Sequence, residues 1–117
     1  MEKKVLTLSV NKEWFDKILS GEKKEEYREI KAFWLVRLFN FVPAPFAKYV
    51  FDDVGIYPKP FTHVLFIHGY GNGKPRIEKE IENITIGKPK KGWCPDEFLG
   101  KEFFVIKFID KRKLWQK

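Results

Sequence analysis

A chain of 117 residues and 14.0 kDa, 44% hydrophobic and 33% charged, carries enough apolar mass for one domain with its own core and too much for a disordered chain. A single cysteine, Cys94, excludes a disulfide framework and a cysteine-rich zinc site. Net charge is +7, the pI is near 9.5 and aromatics reach 17%, a combination that suits nucleic acid and equally describes a Phe-rich core under solvated lysines.

The N-terminus offers only a short apolar run, Val5 to Val10. It is too short for the core of a signal peptide, and no stretch approaches the ~20 apolar residues of a membrane span, so the sequence predicts a cytoplasmic protein without a membrane partner. Val5, Leu6, Leu8 and Val10 read as a first strand. Asn11 is placed to cap a helix over Lys12 to Ser20, whose Trp14, Phe15, Ile18 and Leu19 share one face, and Gly21 stands where a left-handed C-cap belongs. Glu25 to Ile30 reads as a strand with Glu26 and Arg28 on one face and Glu25 and Tyr27 on the other. Ala32 to Phe39 reads as a short, mostly buried helix.

Residues 40–60 hold Pro43, Pro45, Pro58 and Pro60 among many aromatics. Prolines at this density preclude a long regular element, so the segment reads as an insertion that packs over the core or lines a cleft. Phe61 to His68 is a strand rich in β-branched and aromatic residues, and Gly69 to Gly73 is a turn. Arg76 to Ile86 is a strand with a bulge near Asn83, where the alternation slips. A loop over Gly87 to Gly100 leads into an apolar last strand, Glu102 to Asp110. The expected architecture is one α+β domain over 1–117, a small mixed β-barrel with one or two short flanking helices.

Three tempting motifs carry no chemistry. The turn at Gly69 to Gly73 is one residue short of a phosphate loop, and Pro75 stands where Ser or Thr must ligate magnesium. His63 and His68 are five apart on one strand, so they point to opposite faces and cannot pair on a metal, although one can line a pocket. Cys94 has no local base. No metal site and no cofactor is implied.

Gly21-x-Lys23-x-x-Glu26-x-Arg28 differs. A helix end delivers the chain into a strand, and three oppositely charged side chains follow at once. Glu26 can accept from an amino group while Arg28 and Lys23 meet a carbonyl or phosphate. Burial of Lys23 or Glu26 would also permit proton transfer, and the same residues can equally form a salt-bridged rim.

The run Leu8-Ser9-Val10, then Trp14-Phe15-x-x-Ile18-Leu19-Ser20-Gly21-Glu22-Lys23-Lys24-x-Glu26-Tyr27-Arg28, resembles the ASCH domain of the PUA-like superfamily. Phe61 to Phe66 leading into Gly69-Tyr70-Gly71, and Gly100 to Ile106, resemble that family's central strand and turn and its closing strand. The resemblance spans nearly the whole chain outside 40–60. It implies a PUA-like barrel with a cleft beside the first helix and a role in binding RNA or modified nucleobases. The related YTH and EVE domains hold such bases between aromatic walls, for which Trp34, Trp93 and Tyr70 are the candidates here.

One branch of the family hydrolyses N4-acetylcytidine with a Thr-Lys-Glu set. Lys23 matches its lysine, but Glu26 replaces its threonine, and only Asp96 and Glu97 stand near the position of its glutamate. A ribonuclease activity is also ascribed to the family, for which Lys23 and Arg28 would stabilise phosphorane-like charge.

The expected function is therefore a monomeric module that binds RNA or a modified nucleoside or nucleotide. Its ligand residues would be Lys23, Glu26, Arg28, Tyr70 and Trp93, and its phosphate-tracking surface Lys88, Lys90, Lys91, Lys111, Arg112 and Lys113. The alternatives are an amidohydrolase of N4-acylated cytidine or an RNA-cleaving enzyme, with Lys23 and Glu26 catalytic, and a protein-interaction module that uses residues 40–60.

Overall fold

The computed structural model describes residues 2–43, 49–51, 54–69 and 73–109. It is a mixed α+β domain built on a five-stranded sheet. Strand β1 (Val5–Val10) pairs in parallel with β6 (His63–His68); β6 pairs antiparallel with β7 (Arg76–Gly87), β7 with β8 (Phe103–Ile109), and β8 with β2 (Glu25–Arg28). The order β1-β6-β7-β8-β2 leaves β1 and β2 at the two edges. Helix α1 (Lys12–Ser20) and helix α2 (Ala32–Leu38) complete it, and no helix among the described residues is long and apolar enough to cross a membrane.

The core lies on one face of this sheet. Leu6, Leu8 and Val10, Val64 and Phe66, Ile84, and Phe104, Ile106 and Phe108 alternate inward from four strands, and Phe15 and Ile18 of α1 and Leu38 of α2 pack onto them. Full burial of Phe15 and Ile18 is worth about 1.5–3 kcal/mol each, more than the intrinsic helicity of so short a segment supplies. The bulge expected near Asn83 lies between Ile81 and Asn83. Without the extra residue, Ile81 and Ile84 would face opposite sides; with it, both pack on the core. A second, smaller cluster of Tyr27, Cys94, Phe103 and Val105 sits on the reverse face, covered by Trp93, Phe98 and Leu99 from the loop before β8.

Three expectations need correction. Asn11 is extended at the N-cap of α1, but its side chain makes no capping hydrogen bond. The second helix is not mostly buried: Leu38 is enclosed, whereas Phe33 and Val36 are half exposed, because only the Trp34, Leu35 and Leu38 side meets the core. Residues 40–60 are more regular than their prolines suggest. Strands β3 (Phe39–Pro43), β4 (Tyr49–Phe51) and β5 (Val54–Pro58) form a separate antiparallel sheet of order β3-β5-β4. Pro43 and Pro58 each end a strand, where a missing amide costs least.

Candidate functional site

Gly21 sets the site up. At φ 87° it ends α1 in the left-handed region, which a side chain would resist, and its amide donates to the Ile18 carbonyl at 3.2 Å. Two residues on, the Lys23 amide donates to the Lys17 carbonyl at 3.0 Å. The chain is thereby folded back on the last turn of α1, and Lys23 enters the interior just before β2 begins.

Strand β2 then divides its side chains as its period demands. Glu26 and Arg28 lie opposite Ile106 and Phe104, on the core face. Glu25 and Tyr27 lie opposite Lys107 and Val105, on the reverse face. The Lys23 side chain is 1% exposed, and its ammonium donates to the Trp93 carbonyl and lies 3.2 Å from Glu26 Oε1. The other oxygen of Glu26 accepts from Arg28 Nη2 at 2.6 Å. The same Arg28 nitrogen donates to the Ser9 carbonyl of β1 at 2.9 Å. Arg28 thus links the two edge strands of the main sheet by a side chain rather than a backbone ladder.

These residues stand in a cleft of about 460 Å³ at the end of the core face. Trp34 of α2 carries the Arg28 guanidinium over its ring at 4.9 Å, and Trp14 and Trp93 contribute further wall. Asn11, free of a capping role, and His68, 6.1 Å from Phe15 ring to ring, also line it. Two buried nitrogens, Arg28 Nε and His68 Nδ1, have no hydrogen-bond partner among the described residues. Such groups are costly when unpaired, so they mark where polar chemistry is concentrated.

Burial pulls the Lys23 ammonium below its ordinary pKa of 10.5, against the opposing pull of Glu26. Tyr27 also lines the cleft, and burial holds its phenol well above its usual range. That phenol donates to Glu25 Oε1 at 2.8 Å and accepts from the Lys90 amide at 3.1 Å. Cys94 is buried on the cleft wall, its thiol pushed up by desolvation, and it donates to the Lys90 carbonyl at 3.6 Å. A raised pKa leaves little thiolate, which fits a packed thiol rather than a nucleophile.

The structure brings Lys23, Glu26, Arg28, Trp34 and Trp93 together at one cleft. Lys88, Lys90 and Lys91 are exposed on the adjoining loop, with the Lys90 ammonium 5.0 Å over the Trp93 ring. Tyr70, Lys111, Arg112 and Lys113 lie outside the described residues. Asp96 and Glu97 are exposed on a single 3-10 turn (Asp96–Phe98), and neither is among the residues that line the cleft. Trp14 and Asn11 were placed on α1 and at its N-cap from the sequence but not at the cleft; nothing local signals their part in it. Comparison with protein-family models, curated proteins and solved structures returns no match for this chain.

Proposed function

We propose that the chain is an ASCH-like module that binds RNA, or a nucleotide or modified nucleoside derived from it, in the cleft at Lys23, Glu26 and Arg28, acting as a cytoplasmic monomer. One observation carries this reading. Arg28 is a guanidinium fixed on three sides, by Glu26, by the Ser9 carbonyl and by the Trp34 ring, at the floor of a tryptophan-walled cleft. A preorganised planar cation beside aromatic walls suits a flat ring with acceptor or anionic substituents. The volume lies within the range of small-ligand sites, and a base stacked on one of the walls would gain about 1–3 kcal/mol. Exposed Lys88, Lys90 and Lys91 extend the surface for phosphates. The PUA-like barrel belongs to the same proposal: its support is the five-strand order together with the Arg28 link between the edge strands.

The test is a thermal-shift and calorimetric screen against nucleosides, 5′-nucleotides and short single-stranded RNAs at two salt concentrations. The expected result is a salt-tolerant shift with one ligand class, lost in Arg28→Ala and weakened in Trp34→Ala. A shift that vanishes at higher salt and ignores Arg28→Ala, or no shift at all, overturns the reading.

A second reading, hydrolysis of N4-acylated cytidine, has one observation in favour: a buried lysine with a lowered pKa beside the cleft. It is the weaker reading, because the Lys23 ammonium is turned onto protein acceptors and both Glu26 oxygens are held by cations. Release of free cytidine by the wild type, lost in Lys23→Met, would reverse that order.

A further inference from the structure

The loop that carries Trp93 and the basic cluster is held at consecutive backbone carbonyls and at one amide by side chains from the α1–β2 segment. Lys17 Nζ donates to the Gly92 carbonyl at 2.8 Å, across 75 residues of sequence. The Lys23 ammonium donates to the next carbonyl, that of Trp93, and the Tyr27 hydroxyl receives the Lys90 amide. The loop's own internal bonds are few: the Trp93 amide reaches the Lys90 carbonyl at 3.1 Å, and Cys94 Sγ reaches that same carbonyl. Gly92, with φ 89° and open space around its Cβ position, permits the sharp turn that presents both carbonyls to the lysines.

We infer that Lys17, Lys23 and Tyr27 form a clamp that positions the 88–95 loop, and that Lys23 is a positioning residue for the cleft wall rather than a group that touches the ligand. Lys23 is the centre of the clamp because its one ammonium is shared between Glu26 on the cleft floor and the Trp93 carbonyl on its wall. Floor and wall therefore move together. The clamp also sets where Lys90 and Trp93 stand relative to Arg28, and so the spacing between a stacked ring and a neighbouring phosphate. That last consequence rests on the binding reading above; the clamp itself does not.

The experiment is amide hydrogen exchange followed by NMR on the full chain, comparing wild type with Lys23→Met and with the more exposed Lys17→Met. The amides of Lys90 and Trp93 are the reporters, and those of β7 and β8 the reference. A charge-assisted bond to a carbonyl is worth enough that Lys23→Met should speed exchange at Lys90 and Trp93 about tenfold or more relative to the reference. Lys17→Met should do the same to a smaller degree, and the Trp93 indole resonance should shift in both. Equal acceleration of reporters and reference, or none, overturns the clamp.

Cytidine 5′-monophosphate, titrated into both proteins, separates the two proposals. If it and every ligand of the screen above fail to bind wild type while the loop loosens in Lys23→Met, the binding reading falls and the clamp stands. If it binds wild type and is lost from Lys23→Met with the two amides unchanged, Lys23 contacts the nucleotide and the positioning role is overturned.

Discussion

Glu25 and Glu26 are neighbours in sequence and equally buried, yet they live in different electrostatic settings. Glu26 faces the core side and is held by two nearly buried cations, Lys23 and Arg28. Glu25 faces the reverse side, where a neutral phenol donates to it and the nearest ammonium, exposed Lys90, is 3.7 Å away. One strand thus separates a triad of paired charges at the cleft floor from a phenol–carboxylate hydrogen-bond network on its other face. The contrast teaches that burial alone does not decide what a carboxylate does; the partners placed by the strand's period of two do.

The largest effect should come from breaking the charged side. Glu26→Gln leaves buried Lys23 and partly buried Arg28 without their anion, and removing one partner of a buried pair costs about 3–5 kcal/mol. Urea denaturation should show that loss, and a loss under 1 kcal/mol would mean that water solvates the triad. On the other face, Tyr27→Phe deprives Glu25 of a donor and the Lys90 amide of an acceptor, at about 1–2 kcal/mol in the same assay.

The comparison can also be sharpened by pH. Lys23 has a folded pKa below its ordinary 10.5, so between the two values the unfolded chain holds more protons and stability rises with pH. The unfolding free energy of wild type should therefore gain on that of Lys23→Met as pH rises from neutrality towards 10. Tyr27 has the opposite sign: its folded pKa is raised above 10.0, so its contribution is complete below that value and fades above it. Denaturation of Tyr27→Phe alongside wild type above pH 10 isolates that loss, and a parallel pair of curves would refute it. The smallest effect concerns Cys94. Native-state alkylation at pH 8 should be slow and limited by opening, because the thiol is buried and its pKa raised. Labelling as fast as in the urea-unfolded chain would contradict that placement.

Local punctuation was legible in the sequence. The stop of α1 at Gly21 and the slip near Asn83 were readable because each is produced by a few adjacent residues: a C-cap glycine, and two isoleucines three apart that must share a face. The opposition of Glu26 and Arg28 to Glu25 and Tyr27 followed from the strand period alone. What was not legible is long-range. The parallel pairing of β1 with β6 joins residues 58 apart, from Val5↔His63 to Val10↔His68, and nothing near Val5 announces His63 as its partner. The sheet of β3, β4 and β5 escaped because prolines argue against strands without saying where a short one can end. The cleft walls were only partly foreseen, since Trp14 and Asn11 acquire their role when the loop at Trp93 closes over the other side.

The bond from Arg28 to the Ser9 carbonyl has a consequence for solubility. An edge strand with free backbone acceptors is a template on which another chain can add, and β1 is such an edge. Arg28 occupies one of those acceptors and lays a charged, tryptophan-stacked side chain where an incoming strand would have to lie. The residue proposed to meet the ligand would then also guard the sheet against self-association, and its loss would show in concentrated solution as clumping of folded molecules.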